Sequence, residues 1–93
     1  MAVFKSAVEV RDLSDRSVGE GMTYIHLPRG LGAAQDATGT VSLRRWDPGG
    51  QRPTHLALED GRCLSISVSS EKLSDCSRNH ILRFDAVWPP SEG

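Results

Sequence analysis

Apolar and polar residues alternate with a period of two along most of this chain, the spacing that sends successive side chains to opposite faces of a β-strand. In the first run Phe4, Val8 and Val10 share one parity, and Lys5, Glu9 and Arg11 share the other. The polar stretch 12–21 reads as a turn-rich loop. Residues 22–27 form a second run, with Ile25 and Leu27 on one side and Tyr24 and His26 on the other. Pro28 ends it, because proline brings no N–H to a ladder. Residues 29–39 hold three glycines and no period, the pattern of a long loop with at most one helical turn at Ala33-Ala34-Gln35. The third run covers 40–46 with Val41 and Leu43 inward, and Asp47-Pro48-Gly49-Gly50 marks a turn. Runs at 54–58 and 63–68 flank Glu59-Asp60-Gly61-Arg62, whose Asp-Gly step predicts a tight hairpin with a type I′ turn. In the polar segment 69–79 a short helical turn is expected at Glu71-Lys72-Leu73. The last run, 80–88, sets Leu82, Phe84 and Ala86 against Ile81, Arg83 and Asp85, and Pro89-Pro90 stops it.

Six short strands with turn chemistry between them predict an all-β fold in one domain over 1–90, with a frayed tail at 91–93. The expected architecture is a small antiparallel barrel of five to six strands, SH3-like by topology. It would carry one short helical turn near residues 70–77. A two-sheet β-sandwich is the alternative arrangement of the same strands. The expected core is Phe4, Val8, Val10, Ile25, Leu27, Val41, Leu43, Leu56, Leu58, Leu64, Ile66, Val68, Leu82 and Phe84.

Composition narrows what such a barrel does. With 93 residues there is room for one hydrophobic core. Eleven basic and twelve acidic residues give a formal net charge of -1, which removes the simplest electrostatic argument for a nucleic-acid or anionic-membrane protein. Lys5 and Glu9 interrupt the first apolar run, so it does not read as a secretory signal, and no stretch approaches the roughly 20 apolar residues of a membrane span. A cytoplasmic setting is expected, with Cys63 and Cys76 as free thiols and a disulfide between them as the alternative. Nine of the eleven basic residues are arginine, a bias that a GC-rich bacterial genome produces.

Catalytic and metal chemistry find little support. His26, His55, His80, Cys63 and Cys76 include no close pair of the kind structural zinc uses, so no metal is expected. No Gly-x-Ser-x-Gly elbow or phosphate-binding glycine loop is present, and no cofactor is implied. What is left is the outward parity. Tyr24 and His26, Arg44 and Trp46, His55, and Arg83 would gather into an aromatic and guanidinium face if the second, third and last strands are neighbours. Tyr24, Arg44, Trp46 and Arg83 would form its main contact surface. The same residues also have a plain reading, since exposed aromatic side chains stabilise cross-strand pairs and Trp46 can lid one end of a barrel. The leading functional expectation is a non-enzymatic binding or assembly module contacting another protein or its own copy, as a homodimer for example. Single-stranded nucleic-acid binding through the same face is the alternative. A third reading places a small-ligand pocket or hydrolase site at the 29–39 loop.

Overall fold

A computed structural model describes residues 2–27, 35–47, 49, 51–73 and 79–92. Seven strands are present: β1 (Val3–Asp12), β2 (Ser17–His26), β3 (Gln35–Trp46), β4 (Pro53–Leu58), β5 (Arg62–Leu73), β6 (His80–Trp88) and β7 (Ser91–Glu92). All pairings are antiparallel. Around the sheet the order is β4-β1-β2-β3-β6-β5, and β4 pairs back onto β5 to close a six-stranded barrel. The sequence 4-1-2-3 within that order is a Greek key. Closure leaves one enclosed interior in place of the two facing sheets of a sandwich.

The period-two pattern forms the core it predicts. Val8, Val10, Ile25, Val41, Leu43, Leu56, Leu58, Leu64, Leu82 and Phe84 are buried, with Phe4, Ile66 and Val68 packed half-buried against them. Each fully buried large side chain contributes about 1.5–3 kcal/mol. Leu27 lies outside this cluster at the end of the second run. Val18, Ala37 and Ala86 join it.

Several elements are longer than the alternation implies. β2 begins at Ser17, so the loop expected over 12–21 shrinks to a tight turn. Glycines at 19 and 21 hide this part of the strand from a propensity reading. At Gly21 an added Cβ would lie 1.9 Å from the Ser42 carbonyl oxygen, so only glycine lets β2 and β3 approach this closely. Residues 35–39, expected in a loop, open β3. Residues 71–73, expected as a helical turn, continue β5, where their backbone pairs with 80–82 of β6. No helix occurs among the described residues. The rest of the expected turn, 74–77, lies outside them, as do 29–34 and Cys76. Cys63 is a half-buried free thiol. Residues 91 and 92, expected to fray, form β7 against Arg62 and Cys63.

The expected hairpin joins β4 and β5, but by a different turn. Gly61 N–H donates to the Leu58 carbonyl (3.1 Å), and Gly61 alone in that turn has positive φ, at 91°. A type I′ turn needs two left-handed residues; this is a three-residue connection with its left-handed position on glycine. The β4–β5 seam is short, with only His55↔Ser65, Leu56↔Leu64 and Ala57↔Cys63 in register. Beyond Ser65 the strands part around a hollow of about 420 Å³ between residues 52–54 and 66–71.

Four irregularities break the parity. Register shifts leave Val18, Arg44, Thr54 and Ser69 each without a residue opposite. Such bulges bend a strand and re-aim the side chains that follow. Val18 enters the core at the first of them, and two of the others shape the candidate site.

Candidate functional site

β2, β3 and β6 are neighbours, which puts their outward side chains on one surface. Register then sets which residues meet. Lys5 pairs with Tyr24, Tyr24 with Thr40, and Thr40 with Arg83, so one row crosses four strands. The next row carries Val3, His26, Thr38 and Asp85. Tyr24 is 40% exposed, and the Lys5 ammonium stands 5.7 Å from its ring centroid. That separation suits a weak cation–π contact at a solvated site. Lys5 and Arg83 have no carboxylate partner within ion-pair distance among the described residues. Arg44 is 76% exposed and stands 3.8 Å from Glu20 across the β2–β3 ladder.

Two hollows flank this row. One, of about 490 Å³, is lined by Ala7, Met22, Tyr24, Ser42 and Arg44. The other, of about 270 Å³, is lined by His26, Thr38, Thr40, Ser69, Arg83 and Asp85. The Ser69 hydroxyl donates to the Arg83 carbonyl (3.1 Å), which fixes β5 beside the second hollow. Of the six residues singled out in the sequence, Tyr24, His26, Arg83 and Arg44 therefore share a face.

Trp46 does not join them, and the bulge at Arg44 is the reason. Glu20 faces Arg45 and Gly21 faces Leu43, so Arg44 is the extra residue and parity reverses after it. Trp46 falls opposite the buried Gly19, half-buried against the core at one end of the barrel. Its Nε1–H donates to Glu71 Oε1 (3.2 Å), and its ring lies 6.0 Å from that of His80. It packs half-buried beside Glu71 and His80, apart from the outer row of Tyr24 and Arg83.

His55 is also separate, on β4, where it clips the β1–β2 turn. Its Nε2 lies 3.0 Å from Asp15 Oδ1, and its Nδ1 lies 3.1 Å from Thr54 Oγ1. Asp15 has φ of 62°, a left-handed position that aspartate tolerates better than most residues. The hydrogen bond from His55, and then that from Arg11, holds the Asp15 carboxyl below its ordinary range. Asp12, 2% exposed, accepts from the backbone N–H of Ser14 (2.9 Å) and Arg16 (3.0 Å) and from Arg16 Nε (3.4 Å). The Arg16 backbone bond is the main cause that keeps Asp12 ionised below the usual carboxylate range. Arg11 pairs with Glu9 and with Asp15 (3.2 Å). In this cluster each charge serves the turn.

Lys5 was not singled out from the sequence. Its outward parity was legible, but its place beside Tyr24 needed the β1–β2 register. Of the expected 29–39 loop, 35–39 belong to β3, where Thr38 and Gly39 line the second hollow, and 29–34 lie outside the described residues. Among the described residues no three His, Cys, Asp or Glu side chains converge, and no helix is long and apolar enough to cross a membrane. Comparison of this chain with protein-family models, with curated proteins and with solved structures gives no match.

Proposed function

We propose that this barrel is a non-enzymatic binding or assembly module that contacts another protein, or its own copy, through the outer face of β2, β3 and β6. The observation that carries the reading is the row Lys5–Tyr24–Thr40–Arg83. It places one exposed aromatic ring and two cations, without carboxylate partners among the described residues, where the core needs none of them. Tyrosine and arginine supply much contact area and directional hydrogen bonding at protein interfaces. Glu20 and Asp85 share the face, which weakens its fit to a run of phosphates. Arg44 and His26 extend the contact surface along the two hollows.

The test compares the wild-type chain with Tyr24→Ser/Arg83→Ser and with Trp46→Phe, using affinity retention of partners together with light scattering. A partner, or a dimer mass, that survives Trp46→Phe and disappears in the double variant supports the reading. Equal retention and equal mass in all three proteins overturn it. A fluorescent single-stranded oligonucleotide that binds at low salt, with loss in the double variant, would assign the face to nucleic acid instead.

A further inference from the structure

The row has a definite spacing and polarity, and these restrict what fits it. Lys5 and Arg83 are separated by three inter-strand steps, about 14 Å measured from backbone to backbone along the curved barrel wall, and their long side chains lean to span it. Tyr24 stands between them, one step from Lys5. An extended peptide rises about 3.3 Å per residue and points every second side chain the same way. Residues i and i+4 of such a peptide lie about 13 Å apart on one face, with i+2 midway. Carboxylates at i and i+4 would then reach Lys5 and Arg83 while an apolar i+2 side chain lies against Tyr24. Arg83 opens into the hollow that it shares with the hydroxyls of Thr38 and Thr40 and with the Asp85 carboxylate, where an incoming carboxylate finds a forked guanidinium. The anions on this face lie off the row. Asp85 stands two residues beyond Arg83 on β6, and Glu20 four residues before Tyr24 on β2. Asp85 lines the same hollow as Arg83, so a carboxylate at that end must pair directly with the guanidinium, and a strand bearing several charges there is repelled more than a ligand bearing one.

We infer that the Lys5–Tyr24–Arg83 row is a docking site for an extended acidic peptide segment of a partner protein, patterned acidic–x–apolar–x–acidic. This rests on the protein-binding reading above and names the chemistry of the partner. The peptide crosses the strands, its two carboxylates paired at the ends of the row and its central side chain on the tyrosine ring. A nucleic-acid strand would set charges along the row as well as at its ends, where it meets only one stacking ring.

Fluorescence anisotropy with labelled synthetic peptides tests the inference. The probes are Glu-Ser-Phe-Ser-Glu within a neutral flank, the same peptide with both Glu changed to Lys, and one with the two Glu adjacent. The first should bind at least about tenfold tighter than either control and weaken between about 50 and 300 mM salt. Arg83→Ser and Lys5→Ser should each cost about tenfold, Arg83→Glu should remove binding, and Lys5→Glu/Arg83→Glu should turn preference to the Lys peptide. All these positions are on the outer face, and unchanged melting temperatures will show that the variants remain folded. Equal binding of acidic and basic peptides, unchanged affinity in Arg83→Glu, or no binding by millimolar peptide overturns the inference. If a partner or dimer is still lost in Tyr24→Ser/Arg83→Ser while the peptides fail, the module reading stands and the acidic-peptide inference alone falls. If neither depends on the row, both fall. Oligonucleotide binding in place of peptide binding also overturns it.

Discussion

Two polar regions of this barrel use similar residues for opposite ends. At the β1–β2 turn, Arg11, Asp12, Asp15, Thr54 and His55 are hydrogen-bonded to one another or to backbone, and the turn depends on them. On the outer face of β2, β3 and β6, Lys5 and Arg83 stand without carboxylate partners among the described residues. A buried carboxylate such as Asp12 must be satisfied or the turn fails, whereas an exposed guanidinium is solvated and costs the fold nothing. Residue type does not separate structural from available charge. Partnering does.

The strongest way to break that contrast is Asp12→Ala. It removes the acceptor for two backbone N–H groups and for Arg16 Nε in a buried turn, so thermal unfolding should show the largest loss among these substitutions. A loss no greater than that of Arg83→Ser would erase the distinction.

Acid sharpens the same point. Asp12, Asp15 and Asp60 are all held below their ordinary values: Asp12 chiefly by the Arg16 backbone, Asp15 by His55, and Asp60 by the Arg62 side chain. A carboxyl whose native pKa is depressed adds stability that is complete above its unfolded value and fades as pH falls through the native one. The melting temperature should therefore hold steady above about pH 5 and decline below about pH 4. Asp12→Asn should flatten that decline, and an equally steep acid limb in the variant would sink this assignment.

His55→Ala and Trp46→Phe come next. The first unclips the turn from β4, and the second loses the bond to Glu71 while keeping most of the apolar bulk. Each should cost about 0.5–1.5 kcal/mol in denaturant unfolding. Neither should change binding at the outer face, and loss of binding in Trp46→Phe would return Trp46 to the contact surface.

The smallest effect on folding belongs to Tyr24→Ser and Arg83→Ser, within about 0.5 kcal/mol of wild type each. Their consequence should be confined to binding. A large destabilisation would mean that the row exists to hold strands together, as exposed cross-strand pairs do elsewhere.

How much of this was legible in the chain follows from where alternation survives. Val8, Val10, Val41, Leu43, Leu82 and Phe84 lie in unbroken runs, and their burial follows from parity alone. Val18 is the extra residue of one bulge and Trp46 follows another, and each insertion reverses the assignments beyond it. No local feature of Leu43-Arg44-Arg45-Trp46 announces that insertion; it lies where Gly21 comes close to Ser42 and Leu43 from another strand. That Tyr24 and Arg83 share a row, with Thr40 between them, was conditional on strand order, and the Greek key supplied it. The clip between His55 and Asp15 spans 40 positions and is a property of the closed barrel.

The narrow β4–β5 seam has a consequence for motion. With three rungs against nine between β1 and β2, it is the joint where the cylinder can unzip while the β1–β2–β3–β6 pairings stay formed. Amides of residues 63–65 should therefore trade hydrogen for deuterium ahead of those at 40–42, and the barrel should breathe on one side while the other stays closed.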